Sequence, residues 1–174
     1  MRWIEAERLD AAVIGGVAAG FQGQPRLTED IDAVVFDADA ATLIASGSRY
    51  GFEPRTEDAL EFSRQTRVLL MRHRSGVDID LSLGGLPFEK EVIERAVVVD
   101  AGGLRIRVAT PEDLIIMKAL PRRPQDIADI AGIIEVQNQL DIERIRRWVR
   151  EFSAILEMPE IFDDLEKLLR RRKR

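Results

Sequence analysis

At 174 residues, 45% hydrophobic and 33% charged, the chain has the length and composition of one globular domain with a real core. Cysteine is absent and the net charge is −5, which excludes disulfides, thiolate metal sites, cysteine nucleophiles and a surface that binds nucleic acid all over. No apolar run approaches the roughly 20 residues that cross a bilayer, and Met1-Arg2-Trp3-Ile4-Glu5 lacks the basic region and apolar block of a signal peptide, so a cytoplasmic protein without membrane contact is expected.

In chain order, Leu9 to Gly16 reads as a strand ending in a Gly pair, and Val17 to Phe21 as one or two helical turns closed by Gly23 and Pro25. Ile31 to Phe36 is a β-type run. Asp37 to Tyr50 is helical, with Ala41, Leu43, Ile44 and Ala45 as the buried side and Asp37/Asp39 as a helix-start cluster. Thr56 to Gln65 carries no decisive period. Arg67 to Arg72 and Val77 to Leu83 form a hairpin about His73-Arg74-Ser75-Gly76. In its second strand Val77, Ile79, Leu81 and Leu83 alternate with Asp78, Asp80 and Ser82, giving one apolar and one acidic face. Phe88 to Arg95 is a short helix, and Val97-Val98-Val99 with Leu104 to Val108 flank Asp100-Ala101-Gly102-Gly103 as a second hairpin. From Thr110 the period is helical. Thr110 caps, Pro111 opens, and Glu112 and Asp113 follow in the first turn. Helices over Gln125 to Leu140, Ile142 to Leu156 and Pro159 to the end complete an α/β (α+β) fold: a small mixed sheet with flanking helices and a helical C-terminal segment.

Three Asp-x-Asp pairs occur: 30/32, 37/39 and 78/80. The spacing alone is common, so context decides. Asp30 and Asp32 open a strand, where side chains two apart share a face. Carboxylates that close repel unless something positive sits between them, and a divalent cation is the usual answer. Asp80, with its neighbour Asp78 as rival, offers a further ligand from the second acidic face. If those strands are neighbours, about 4.8 Å apart, the carboxylates suit two metal ions about 3.5–4 Å apart. Upstream, Gly15 and Gly16 permit amide N–H groups to approach phosphate oxygens. Arg26 is a candidate phosphate clamp and Thr28 a hydrogen-bonding or capping group.

The run Ile14-Gly15-Gly16-Val17-Ala18, followed by Arg26-Leu27-Thr28-Glu29-Asp30-Ile31-Asp32, resembles the signature of the DNA-polymerase-β-type nucleotidyltransferase superfamily. Two further blocks, Val77-Asp78-Ile79-Asp80-Leu81 and Ala109-Thr110-Pro111-Glu112-Asp113-Leu114-Ile115-Ile116-Met117-Lys118, extend the resemblance over about residues 10 to 135. More narrowly, the run looks like the branch of abortive-infection AbiE-type toxins and their bacterial relatives. With the change of period at Thr110 and no linker, the chain reads as a single nucleotidyltransferase-like domain with an α/β core at about 8–109 and a helical part at about 110–174. The resemblance implies Mg²⁺ (or Mn²⁺) on Asp30, Asp32 and a third acid from the later strand, Asp80 or Asp78. It also implies a lysine, Lys118, directed toward the triphosphate of a nucleoside triphosphate, beside Gly15, Gly16, Arg26 and Thr28 as candidate nucleotide-binding residues. NMP then passes to an acceptor that can be RNA, protein or a small molecule. A downstream acid, Asp126 or Asp129, is proposed for catalysis in that branch. The loop here is Gly-Gly where the family often has Gly-Ser, and Pro121 and Pro124 break the helix after Lys118.

Each of these residues also has a structural reading. Lys118 suits a snorkelling surface lysine, Arg26 a surface charge, and Asp126 and Asp129 partners for Arg122 or Arg123. His73 reads as structural, Trp3 and Trp148 as packing residues. The basic tail Arg170 to Arg174 either caps a helix and frays into solvent or touches an acidic partner or RNA. The rival readings of function are a catalytically silent nucleotide-binding protein, and the interaction half of a toxin–antitoxin pair with a protein partner. An oligomer is compatible with all of them.

Overall fold

The computed structural model describes residues 2–171; Arg172, Lys173 and Arg174 of the basic tail lie outside the described residues. The chain divides into two compact units, one of residues 1–17 and 27–109, the other of 18–26 and 110–174.

The first unit is built on a seven-stranded sheet. Its strands are β1 (Ala11–Val13), β2 (Asp30–Phe36), β3 (Phe52–Pro54), β4 (Val68–His73), β5 (Asp78–Gly84), β6 (Val97–Ala101) and β7 (Leu104–Val108). They lie in the order β3-β4-β5-β2-β1-β7-β6. β2 and β5 pair in parallel, as do β1 and β7, and the remaining neighbours are antiparallel. This is the mixed α/β architecture read from the sequence.

Both expected hairpins are present. Ala101 pairs with Leu104 across Gly102 and Gly103, whose φ values of 64° and 87° suit the two-residue turn that matches strand twist. The β4–β5 turn closes through His73 N to Val77 O at 2.8 Å. The parallel β2–β5 pair needs a long connection, which α3 (Ala40–Ser48), β3, α4 (Ala59–Thr66) and β4 supply. Asp39 caps α3, its carboxylate accepting from Thr42 N at 2.9 Å. The helix is shorter than Asp37 to Tyr50, and its buried side is Ala40, Leu43, Ser46 and Gly47, leaving Ala41 and Ala45 exposed. Gly47 is there because Trp3, from α1 (Arg2–Ala6), packs about 3.0 Å from where a Cβ would stand. Trp3 also donates from Nε1 to Ser46 Oγ at 3.0 Å. One core cluster gathers Trp3, Val35, Leu43, Leu69, Met71 and Leu81. α5 (Pro87–Arg95) opens with Pro87, and Glu89 accepts from the Gly85 and Leu86 amides, each at 2.8 Å.

The first strand differs from the sequence reading. β1 is three residues long, and Gly15 and Gly16 are the first residues of α2 (Gly15–Gln22), not a loop before it. Strand pairing for β1 ends once Val13 has met Ala33 and Val108.

The second unit is helical: α6 (Pro111–Ala119), α7 (Pro124–Val136), α8 (Ile142–Ile155) and α9 (Pro159–Arg171), with residues 18–26. Thr110 caps α6 and Pro111 opens it, as expected. Arg122, at φ 55°, turns the chain so that Pro124 can open α7. Ile130, Ile133, Ile145, Ile161 and Leu165 form the fully buried interior of this unit. Gly23 lies so close to Ile133 that a Cβ would stand 2.9 Å from its backbone nitrogen. No described helix is long and apolar enough to cross a membrane.

Candidate active site

Parallel pairing of β2 with β5 sets Asp30 opposite Asp78 and Asp32 opposite Asp80. With side chains alternating, all four carboxylates emerge on one face, while Ile31, Ala33, Ile79 and Leu81 turn to the other. Asp30, Asp32 and Asp80 each place a ligand oxygen within 4.8 Å of the others, all at half-buried positions. Among the described residues they are the group of acids so arranged.

Gly15 explains the start of α2. Its φ is +64°, and a Cβ there would stand 1.8 Å from Asp32 Oδ2. Only glycine lets the backbone come this near the carboxylate. The adjacent amide of Ile14 donates to Asp32 O at 2.9 Å, tying the turn to the strand. The first turn of a helix carries N–H groups without partners inside the helix, which suits an anion there. Gly16, the next residue, is buried. Thr28 Oγ1 lies 3.0 Å from Asp30 Oδ1 and holds that side chain by a hydrogen bond.

Asp78 and Asp80 part company. Asp78 is gripped by Arg72 and by Arg55, whose Nη1 lies 2.8 Å from Asp78 Oδ2. Hydrogen bonds from Arg72 first, then Arg55, hold its carboxyl well below the usual range. Asp80 takes a short hydrogen bond from Arg55 Nη2 on Oδ1. Burial nonetheless pushes its carboxyl up, and the charges of Asp32, Asp30 and Asp78 add to that against the opposing pull of Arg55. Arg55 was not foreseen in the sequence. It stands alone after Pro54 at the end of an edge strand, a position with no periodicity or motif to mark it.

In the helical unit, Arg26 and Lys118 meet acids. Arg26 grips Asp129 through Nε at 2.9 Å and Nη2 at 3.2 Å. Lys118 is 6% exposed, not a snorkelling surface residue, and its Nζ stands 2.7 Å from Asp129 Oδ2 and 3.5 Å from Asp126 Oδ1. Arg123 Nε is 2.6 Å from Asp126 Oδ2. Arg122 pairs with Asp164 and Glu160 instead. Burial raises the Asp129 carboxyl, but hydrogen bonds from Arg26 and Lys118 and their charges outweigh it, leaving the group below its ordinary range. His73 bonds Ser75 Oγ through Nδ1 at 2.7 Å and packs against Phe52, a structural role.

Solved structures share this fold. An antigenic nucleotidyltransferase-like protein from Paracoccidioides brasiliensis is 17% identical, with a TM-score of 0.52 over 94% of this chain and 87% of its own. The antibiotic-resistance factor ANT(2'')-Ia in solution is 15% identical, with a TM-score of 0.60 over 91% of this chain and 89% of its own. Its crystal complex with adenylyl-2''-tobramycin aligns at 16% identity and a TM-score of 0.50, over 98% and 91%. No curated protein matches the sequence. Residues 4–166 match the family described as "Nucleotidyltransferase of unknown function (DUF6036)", and the chain belongs to that family. The matches bear out the nucleotidyltransferase superfamily and do not single out the abortive-infection branch.

Proposed function

We propose that the protein is a metal-dependent nucleotidyltransferase that moves NMP from a nucleoside triphosphate to an acceptor hydroxyl, with Asp30, Asp32 and Asp80 as its metal-binding and catalytic residues. The carrying observation is the convergence of three carboxylates within 4.8 Å beside a glycine whose position admits no side chain. The donor set is all hard oxygen, which fits Mg²⁺ or Mn²⁺. When bound, such an ion polarises phosphate oxygens and offsets charge that develops on them.

The chain's own residues supply the rest. Thr28 fixes the Asp30 carboxylate, and Gly15 and Gly16 present backbone to the triphosphate. Asp80, whose carboxyl is raised, accepts the proton of the acceptor hydroxyl as its oxygen attacks the α-phosphorus and pyrophosphate leaves. Asp78, locked by Arg72 and Arg55, steadies Arg55 rather than binding metal. We assign Arg26 and Lys118 to the charge network around Asp129 in place of direct triphosphate contact. The acceptor is a hydroxyl on RNA, protein or a small molecule; ANT(2'')-Ia, which shares the fold, has been captured with adenylyl-2''-tobramycin.

Incubation with each α-labelled nucleoside triphosphate, Mg²⁺ and a cell extract tests this. Label on one product class, lost in the Asp30→Asn/Asp32→Asn double variant, is the expected result. No transfer with any nucleotide, together with co-purification of a neighbouring gene product, replaces the enzyme by the interaction reading.

A further inference from the structure

Because side chains alternate along β2, the strand that carries Asp30 and Asp32 on one face presents Ile31 and Ala33 to the other. On that second face lies a cavity of about 620 Å³, within the first unit and walled by the sheet from the carboxylates. Its floor is apolar: Val13, Ile31, Ala33, Ile79 and Ile106 from four strands. One wall is aromatic. Trp3 and Phe52 have ring centroids 5.0 Å apart, and Phe52 and His73 4.8 Å apart. Ile31 and Ile106 are only half-buried, so the floor is open to an occupant.

The lip is cationic. None of the eighteen lining residues is acidic, although 31 of the chain's 174 residues are Asp or Glu. Three are arginines: Arg49, Arg74 and Arg107. Arg49 pairs with Glu7 at 2.8 Å, and Arg107 donates to Ile93 O at 2.5 Å. Arg74 differs. Its side chain lies along the Gly51 backbone, is exposed, and makes no ion pair among the described residues. An unneutralised guanidinium above an apolar, weakly screened floor attracts an anion and repels a cation. The volume falls in the range of about 300–1,000 Å³ typical of small-molecule sites.

We propose that this cavity binds a small organic anion with an apolar body: the body on the Ile31–Ile106 floor against Trp3 and Phe52, the anionic group at Arg74. The site is separate from the nucleotidyl-transfer site and does not depend on that reading.

Trp3 is a built-in reporter, and Trp148→Phe removes the only other tryptophan. In that background, decanoate, decanol and decylamine serve as probes of equal body and different charge. Decanoate is expected to change Trp3 emission saturably, decanol to bind roughly tenfold more weakly, and decylamine more weakly still. Arg74→Ala, at an exposed position, is expected to weaken decanoate by roughly tenfold and leave decanol unchanged. Val77→Phe, at the exposed rim, is expected to weaken both by occlusion, with thermal melts confirming that each variant folds. The proposal is overturned by an absence of saturable binding, by equal affinity for decylamine, or by indifference to Arg74→Ala. It is also overturned if Trp3 emission responds to protein concentration alone, which marks the face as an interface between copies.

Discussion

Two acid clusters in this molecule are both candidates for chemistry in the sequence and have opposite surroundings in the structure. On the sheet, Asp30, Asp32 and Asp80 converge within 4.8 Å, and Asp80 shares its one guanidinium with Asp78. In the helices, Asp126 and Asp129 meet Lys118, Arg26 and Arg123 at 2.6–3.5 Å. The Asp80 carboxyl is pushed up and the Asp129 carboxyl is held down. A carboxylate that burial and like charges drive upward wants another cation, as a metal site does. One driven downward by two cations is satisfied, as a structural network is. The surroundings of the acids, not their number, separate the two clusters.

Neutralising each cluster breaks or sharpens this contrast. The largest effect is expected from Asp30→Asn/Asp32→Asn: transfer should fall by roughly 10³-fold or more, since phosphate charge loses its counter-ion. The melting temperature should hold or rise, because repulsion toward Asp80 is relieved. A large loss of stability would make this cluster a structural network too.

Asp129→Asn should do the reverse. Removing the acid leaves Lys118 buried beside only Asp126, a loss of about 3 kcal/mol in denaturant unfolding. Unchanged stability would mean the network is ornamental.

Gly15→Ala tests the approach of α2 to Asp32. Positive φ costs a β-carbon residue of order 1 kcal/mol, and the clash at Asp32 Oδ2 moves a ligand oxygen. Transfer should fall more than stability does, measured on the same preparation. Equal falls would point to a merely structural glycine.

The smallest effect is in pH dependence. Asp129 has a folded pKa below its unfolded value, so its contribution is present above about pH 4 and is lost as pH falls below it. Melting temperature should drop over that acid range in the parent and drop less in Asp129→Asn. Asp80 has the opposite sign: its raised carboxyl favours the folded state at low pH and loses that advantage as pH rises. Mg²⁺ should recover stability at neutral pH in the parent, by about 1.4 kcal/mol at ten times its dissociation constant, and not in the double aspartate variant.

Much of this was legible in the chain. An apolar β-type run marked β2 and alternation marked β5, and the acids two apart on each share a face because a strand's period of two is a local property. Gly102-Gly103 marked a hairpin and Thr110-Pro111 a helix start for the same reason: turn and cap chemistry act over a few residues. The short elements were not legible. α1, β3 and α4 are 5, 3 and 8 residues long, below the length at which periodicity is decisive, and packing sets them.

Residues by themselves pointed to the nucleotidyltransferase superfamily and to Asp30 and Asp32 after the Gly15-Gly16 pair, and left Asp78 and Asp80 as rivals for the third position. Tertiary structure decided which charge meets which. Arg55 reaches Asp78 and Asp80 across more than twenty positions, and Arg26 reaches Asp129 across more than a hundred. Nothing in a local window encodes such pairs. Coulomb energy depends on distance through space, and only the folded chain sets that distance.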